Sequence, residues 1–279
     1  MGGVHILRLA GVPGVGKSAV AAELFARFRG AGERVAHVDI DQLGMCYPAP
    51  DDDPDRWSLK ERALERVARR FHAEGTDLLV VSGVVEPTRP PDTSAQVTSY
   101  WLDASAATRR RRLKTRGWSE EEVERVVAVG GDEARRAPAE WVRVPTDALS
   151  IAETADRVQH LRTLRRRIAE PLGPPQAAGP GRVVWITGAR PADASRIGWE
   201  MASAAWSRGE RTGFVDVARL SLVAWEPSKI GLENTVEMQA LFASIGAETT
   251  VVVASVDIDP VSVRQAFAPA SVRFVRSHA

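Results

Sequence analysis

The chain has 279 residues, enough for one large domain or two smaller ones, each with a substantial core. Its 37 Lys and Arg nearly balance its 36 Asp and Glu, so net charge favours neither a nucleic acid nor a membrane as partner. A single cysteine excludes an intramolecular disulfide and a cysteine-rich zinc site, and the five histidines show no metal-ligand spacing. Without a membrane-length apolar run or a charged and apolar leader, we expect a cytoplasmic protein with small-molecule partners.

A glycine-rich motif near the beginning of the sequence carries the strongest signal. Residues 11–18 fit the pattern G-x-x-x-x-G-K-[ST], between a predicted strand at 5–10 and a predicted helix at 18–28. In such a loop the backbone N–H groups turn onto a phosphate at the helix N-terminus, Lys17 supplies a mobile cation, and Ser18 offers its hydroxyl to Mg²⁺. We therefore predict a nucleotide-phosphate site formed by Gly11, Val12, Pro13, Gly14, Val15, Gly16, Lys17, Ser18 and Ala19.

Strands and helices alternate after this motif. Strands are predicted at 34–41, 77–85, 96–103 and 141–147, and helices at 59–73, 104–116, 121–137 and 150–168. This alternation predicts an α/β domain whose parallel sheet is covered by helices on both faces. Residues 42–55 are rich in Pro and Asp and predict an irregular surface loop. On the helix at 59–73 we expect the arginines to point largely outward, namely Arg62, Arg66, Arg69 and Arg70.

The second part of the sequence resembles the first. A Pro- and Gly-rich linker at 171–181 predicts one domain at 1–170 and another at 182–279. Sliding the sequence by 177 positions aligns Gly11 with Gly188, Ser18 with Ser195 and Asp39 with Asp216. We interpret this as a shorter, degenerate repeat, with a helix at 233–245 and strands at 249–256 and 271–275. The alternative, that any two strand-loop-helix-strand units look alike, stays open.

The aligned second loop, residues 188–195, has lost the groups that bind phosphate. Ala194 stands at the lysine position and Asp193 at the last glycine position. An aspartate there would repel a phosphate, so we predict that the second domain does not bind a nucleoside triphosphate in the usual way. Its role is left open between packing, formation of a homodimer and completion of the substrate pocket.

Two carboxylates, Asp39 and Asp41, end the predicted second strand. Residues two apart in a strand point to the same side, and the carboxyl ends of parallel strands face the ligand crevice. Phosphoryl transfer to an alcohol requires Mg²⁺ near the phosphates and a carboxylate that orients or deprotonates the hydroxyl. We predict a functional Asp39, with Ser18 and Asp39 as metal ligands. For Asp41 the capping of a turn is an equal alternative, and which of the two is the base stays open.

These motifs together resemble those of the P-loop small-molecule kinases. The resemblance covers residues 4–168 and rests on the loop at 11–18, Val38-Asp39-Ile40-Asp41, the strand at 79–85, Leu102-Asp103-Ala104-Ser105, the segment 112–117, and Thr146-Asp147. The family includes shikimate, gluconate, adenylyl-sulfate and nucleoside-monophosphate kinases and chloramphenicol phosphotransferase.

The resemblance implies a P-loop NTPase fold and a small-molecule kinase activity. It implies a five-stranded parallel sheet in the order 2-3-1-4-5, ATP with Mg²⁺, and transfer of the γ-phosphoryl group to a small hydroxylated acceptor. It also implies metal or substrate contacts for Asp39 and Asp41, phosphate contacts for Arg112 and Arg116, and a nucleotide contact for Thr146. For Arg109, Arg110 and Arg111 we prefer a solvated helix face.

Other functions for a phosphate loop are a regulatory ATPase, a toxin-like kinase of a sugar nucleotide, and a non-catalytic nucleotide-bound scaffold. A regulatory ATPase that acts as a switch or motor usually has a Mg²⁺-coordinating Asp at the end of a buried strand. In this sequence the strand that begins near Leu78 is followed by no carboxylate until Glu86. No Asn-Lys-x-Asp guanine motif occurs. These absences favour the kinase. Because residues 42–56 match no acceptor-binding signature, the acceptor stays open.

Overall fold

The computed structural model describes residues 4–86, 88, 93, 95–161, 176–188, 190–224, 229–254 and 258–277. The chain forms two compact units, Met1–Ile40 with Thr76–Pro171, and Asp41–Gly75 with Leu172–Ala279. This division differs from the predicted limits, because residues 41–75 group with the second unit. Parts of the predicted linker and of the helix at 150–168 lie outside the described residues. Among those described, no helix has the length and apolar character needed to cross a bilayer.

The elements of the first unit and of the inserted segment follow one another along the chain. They are β1 (His5–Ala10), α1 (Lys17–Gly30), β2 (Val35–Asp39), α2 (Ile40–Leu43), β3 (Cys46–Tyr47), α3 (Trp57–Ala73), β4 (Leu78–Ser82), β5 (Gln96–Asp103), α4 (Ala106–Lys114), α5 (Glu120–Arg136), β6 (Val142–Pro145) and α6 (Ile151–Leu161). The later elements are β7 (Arg182–Gly188), α7 (Pro191–Ser207), β8 (Thr212–Asp216), α8 (Ile230–Ser244), β9 (Thr249–Ala254), α9 (Pro260–Ala266) and β10 (Ser271–Ser277).

The first unit contains a five-stranded parallel sheet in the order β2-β4-β1-β5-β6. With β3 set apart in the other unit, this is the predicted order 2-3-1-4-5, and the predicted fold is confirmed. Every residue of β4 is buried, as a central strand covered on both faces requires. The carboxyl ends of β1, β2 and β4 lie at one edge of the sheet, where the phosphate loop follows β1.

The predicted strand at 34–41 is wrong at its end. β2 stops at Asp39, and Ile40 and Asp41 begin the single helical turn α2. Asp41 therefore does not share a strand face with Asp39. The alternation of apolar and polar residues continues through Ile40 and therefore predicts a longer strand. Ile40 and Asp41 fit a helical turn equally well, and an acidic residue such as Asp41 is favoured in the first turn of a helix.

The second unit has a five-stranded sheet of its own, in the order β10-β7-β9-β8-β3. Its first four strands are parallel and β3 is antiparallel to β8. The parallel strands repeat the order of β5, β1, β4 and β2, and β8 lies 177 positions after β2, as the alignment predicts. A 3₁₀ turn at Val217–Leu220 follows β8, as α2 follows β2. A common origin of the two units stays a prediction.

The segment 41–75 is built into the second unit. Phe214 N donates to Met45 O at 2.7 Å where β3 joins β8, and Arg211 Nε donates to Pro48 O at 3.0 Å. The prediction of an irregular surface loop at 42–55 is therefore wrong for α2 and β3. A short edge strand such as β3 gives only a weak sequence signal, because its register is set by the partner strand.

Helix α3 packs against α8 within the same unit. Arg70 Nε donates at 3.1 Å to Oε1 of Glu237, a carboxylate without solvent exposure. The side chains of Arg66, Arg69 and Arg70 are only 13–17% exposed, so the prediction that they point largely outward is wrong. An amphipathic pattern identifies the apolar face but cannot reveal that another helix supplies a buried carboxylate to the polar face.

Candidate nucleotide-phosphate site

The phosphate loop, residues 11–16, connects β1 to α1. Gly11 has φ 140°, and a Cβ on it would lie 2.4 Å from Leu102 O, so both conformation and space require glycine. Gly16 has φ 101° and precedes the first residue of α1. Left-handed residues in such a loop turn successive N–H groups into one concavity, which binds anions. Ser18 and Ala19 lie in the first turn of α1, where the helix dipole adds positive potential.

Lys17 is mostly buried at the end of this loop, with 8% exposure. Its Nζ donates to Val12 O at 3.1 Å, which holds the ammonium across the loop. Glu133, at the end of α5, is near enough to Lys17 to feel its charge: burial raises the pKa of Glu133, whereas Arg136 and Lys17 oppose that rise. Glu133 was not identified from the sequence, because it belongs to no motif.

Ser18 and Asp39 form the candidate metal site. Ser18 Oγ donates to Asp39 Oδ2 at 3.5 Å, which places a hydroxyl and a carboxylate together beside the loop. These are hard oxygen ligands, and Mg²⁺ in nucleotide sites takes one or two protein oxygens together with phosphate oxygens and water. Within the described part of the chain, no group of three or more His, Cys, Asp or Glu forms a metal cage. The pair thus fits Mg²⁺ bound jointly with phosphate.

Asp41 has a different environment, in the second unit. Lys60 Nζ donates to its Oδ1 at 2.7 Å, and the Lys60 side chain is 7% exposed. The same ammonium lies 4.4 Å from the centroid of the Trp57 ring. The Asp41 carboxylate is therefore held in an ion pair with a buried ammonium.

Arg112 and Thr146 support the phosphate loop through its carbonyl groups. Arg112 Nη1 donates to Val15 O at 3.2 Å and to Thr146 Oγ1 at 3.0 Å, and its Nη2 donates to Thr146 O at 2.7 Å. The buried Thr146 hydroxyl in turn donates to Val15 O at 3.1 Å. These groups face the backbone of the loop. Direct contact of Arg112 or Thr146 with nucleotide stays a prediction.

The other arginines of this region are distributed differently from the prediction. Because α4 ends at Lys114, Arg116 does not lie on one helical face with Arg112, and it is exposed. Arg110 pairs with Glu124 at the surface, as a solvated face requires. Arg109, however, is only 3% exposed, so its assignment to the solvated face is wrong. Four consecutive arginines carry no periodicity that would mark one of them as buried.

The residues at the end of β4 are relevant to the alternative function, a regulatory ATPase, which usually has a carboxylate at the end of a buried strand. The last residue of the strand, Ser82, is buried, and its hydroxyl lies 3.3 Å from His37 Nε2. The next carboxylate along the chain, Glu86, pairs with Arg136 at 3.3 Å. β4 itself thus supplies no carboxylate to the crevice.

The corresponding connection in the second unit has another form. α7 begins at Pro191, so residues 189 and 190 alone separate it from β7, and Ala189 lies outside the described residues. The alignment with residues 11–18 therefore matches a loop with part of a helix. Asp193 accepts a hydrogen bond from Arg190 Nε at 2.7 Å, and Ala194 is buried.

Comparison with known proteins gives a family match over part of the chain. Residues 8–137 match a family model described as an AAA domain, a range that includes the phosphate loop and Asp39. No curated protein sequence matches the chain. In agreement with the predicted resemblance, the first unit is a P-loop α/β domain.

Solved structures with similarity to the chain include two kinases. Shikimate kinase from Bacteroides thetaiotaomicron has 18% identity and a TM-score of 0.37, over 57% of this chain and 97% of that chain. The APS kinase of Mycobacterium tuberculosis in complex with AMPPNP and APS has 19% identity and a TM-score of 0.41, also over 57% and 97%.

Proposed function

We propose that the protein is an ATP- and Mg²⁺-dependent kinase that transfers the γ-phosphoryl group to a hydroxyl of a small molecule. The observation that carries the proposal is the pairing of Ser18 with Asp39 at 3.5 Å beside the phosphate loop. It supplies a carboxylate at the end of β2, while β4 ends in Ser82 without one. A carboxylate in this position serves an acceptor hydroxyl as well as a metal.

The donor is bound by the loop and by Lys17. The N–H groups of residues 14–16 donate hydrogen bonds to phosphate oxygens. Lys17 Nζ, which donates to Val12 O, donates to a phosphate oxygen instead when nucleotide binds, because a charged acceptor makes the stronger hydrogen bond. Ser18 and Asp39 hold Mg²⁺, whose charge stabilises the negative charge that the phosphate oxygens carry during transfer. The α1 N-terminus adds to the same positive potential.

The acceptor hydroxyl is oriented by Asp39, which takes up its proton as the new P–O bond forms. Asp39 is favoured over Asp41 for this role because it lies beside Ser18 and the phosphate loop, whereas Asp41 pairs with Lys60 at 2.7 Å in the second unit.

The test is ADP release from the full chain with Mg²⁺ and ATP, measured by coupled spectrophotometry against a panel of alcohols, sugars, nucleosides and antibiotics. The proposal expects ADP release that depends on one class of acceptor, with a phosphorylated product of mass 80 Da above the acceptor. Lys17→Ala protein, purified in parallel, is the control for contaminating ATPase.

The alternatives give other outcomes in the same assay. Release of ADP that no acceptor accelerates would contradict the kinase in favour of a regulatory ATPase. ATP binding by calorimetry with no turnover against any acceptor would favour the scaffold.

A further inference from the structure

Arg109 is a buried cation directly behind the phosphate loop. It projects from α4, is 3% exposed, and donates from Nε to Pro13 O at 3.1 Å. Its Nη2 donates to Val126 O at 3.1 Å and to Val127 O at 3.4 Å, both in α5. One guanidinium therefore joins the loop to two successive carbonyls of another helix.

The surroundings of Arg109 are shaped to fit it. A Cβ on Gly130 of α5 would lie 2.3 Å from Arg109 Nη2, and a Cβ on Gly14 of the loop would lie 3.2 Å from Arg109 Cα. Among the described residues, no carboxylate lies within 4 Å of the guanidinium. Burial lowers the pKa of Arg109, and Glu133 and Asp103 oppose this only through longer-range attraction. A charge buried without an ion pair is costly, and the hydrogen bonds to the carbonyls of Pro13, Val126 and Val127 are what offset that cost here.

The geometry of the peptide bond connects Arg109 to phosphate binding. In a planar trans peptide the C=O and the following N–H point in opposite directions. Holding the carbonyl of Pro13 from behind therefore aims the N–H of Gly14 away from Arg109. Arg112, one turn later on α4, holds the carbonyls of Gly14 at 3.4 Å and Val15 at 3.2 Å, which aims the next two N–H groups in the same way.

We propose that Arg109 is a positioning residue, which aims the loop N–H groups at the nucleotide phosphates and couples the loop to α5. The inference rests on the proposed function, since it concerns the same phosphate site. Arg109 acts through the Pro13 carbonyl and has no contact with phosphate. Loss of the guanidinium leaves the Pro13 peptide free to rotate, and the preorganised concavity is lost with it.

Gly130→Ala tests this role by displacing the guanidinium without removing its charge. The new Cβ would lie 2.3 Å from Arg109 Nη2 and 3.0 Å from Val12 Cβ, so the larger displacement falls on the guanidinium and a smaller one on the loop. We expect Gly130→Ala to weaken binding of Mg·ADP, measured by calorimetry, by about 10- to 100-fold. The matched control is Gly131→Ala in the same helix, where the nearest atom to the new Cβ is Arg135 Nη1 at 3.9 Å. This control should bind Mg·ADP like the wild type, and its melting temperature reports the cost of the helix substitution itself.

Two further variants separate positioning from folding. Arg109→Lys keeps the charge but cannot reach Pro13 and α5 together, so it should resemble Gly130→Ala. In Arg109→Met, the Gly130→Ala substitution should cost less ADP affinity than in the wild type, and any loss that remains reports the direct contact of the new Cβ with Val12. Hydrogen exchange should show that Mg·ADP protects both the loop and α5 in the wild type, but only the loop in the variants.

The outcomes distinguish this inference from the proposed function. If Gly130→Ala and Arg109→Lys fold and bind Mg·ADP as tightly as the wild type, Arg109 has no positioning role. If the wild type itself does not bind Mg·ADP, the nucleotide site is wrong and the inference falls with it. Equal loss of affinity in Gly131→Ala would assign the effect to helix α5 in general and overturn the specific role of Arg109.

Discussion

The two units share a framework and differ in one connection. Four parallel strands follow the same order in both, and the corresponding strands β2 and β8 each end in an aspartate and lead into one helical turn. In the first unit residues 11–16 separate the strand from the helix, whereas residues 189 and 190 alone do so in the second. The same sheet order thus occurs with two different connections. The length of the first loop and its lysine are the features on which we base the proposed phosphate site.

The paired aspartates illustrate the same difference. Asp39 faces the Ser18 hydroxyl at 3.5 Å, whereas Asp216 accepts a hydrogen bond from Ala218 N at 3.0 Å and caps the turn that follows. The same residue type at the same strand end thus meets a potential metal ligand in one unit and a backbone N–H in the other. Substitutions made in pairs, one in each unit, test this contrast.

The largest effect is expected for Lys17→Ala. Removal of the ammonium that lies at Val12 O should lower turnover by about 1,000-fold, because no other group replaces a charge aimed at the transferring phosphoryl group. The measurement is steady-state ADP release with the best acceptor. Its partner, Arg190→Ala, removes the basic residue of the second connection and should leave turnover unchanged. Equal losses in both variants would mean that the second unit takes part in phosphate binding.

Asp39→Asn should have the next largest effect. Loss of the carboxylate should lower kcat by about 100-fold, because amide oxygen neither binds Mg²⁺ well nor accepts the acceptor proton. Affinity for nucleotide without Mg²⁺, measured by calorimetry, should change little. Asp216→Asn is the control at the matching strand end. A fully active Asp39→Asn enzyme would transfer the role of base to Asp41.

Gly11→Ala and Gly188→Ala compare the two strand ends through stability. A Cβ at Gly11 would meet Leu102 O at 2.4 Å in a left-handed conformation, whereas at Gly188 the nearest atoms lie at 3.2 Å. Gly11→Ala should lower the free energy of unfolding by about 2–4 kcal/mol, and Gly188→Ala by less than about 1 kcal/mol. Urea denaturation followed by circular dichroism measures both. Similar values would show that the first loop relaxes to accept a side chain.

The smallest effect concerns the pH dependence of stability at Asp216. Burial raises the pKa of this carboxyl above its ordinary value, so the folded chain retains a proton that the unfolded chain has lost. This contribution to stability is present at low pH and is lost as pH rises through the shifted pKa. Asp216→Asn keeps the cap, and should raise the free energy of unfolding at pH 7 by less than about 1 kcal/mol.

The check on this last prediction is a series of denaturation curves between pH 4 and pH 7. Stability of Asp216→Asn relative to the wild type should grow as pH rises. A wild type that instead gains relative stability with pH would show that hydrogen bonds to the Asp216 carboxylate outweigh its burial.

Much of the first unit could be predicted because its signals are local. The glycine and lysine pattern of residues 11–18 fixes a loop between a strand and a helix, and the apolar run of β4 predicts a central strand. The offset of 177 positions aligns β8 with β2 residue by residue, because the two strands have the same length. The second loop was misaligned because its helix begins earlier, which sequence letters alone do not reveal.

The rest depends on partners distant in sequence. The burial of Arg109 follows from Gly130 and the carbonyls of α5, and none of these carries a local signal. The polar face of α3 is covered because Glu237 lies far along the chain. The ion pair of Asp41 with Lys60, on the next long helix, likewise carried no signal in the sequence around Asp41. Charged residues at helical spacing predict a solvated face, and only tertiary structure identifies the exceptions.

The placement of residues 41–75 has a thermodynamic consequence. The chain leaves the first unit after Ile40 and returns at Thr76, so the second unit closes a loop between two neighbouring strands, β2 and β4. If the second unit unfolded alone, the first would have to close a flexible loop of roughly 35 residues, at an entropic cost of about 3 kcal/mol. Unfolding of the second unit would thus weaken the first, and we expect removal of the sequence beyond the linker to lower the stability of the first unit by about 3 kcal/mol.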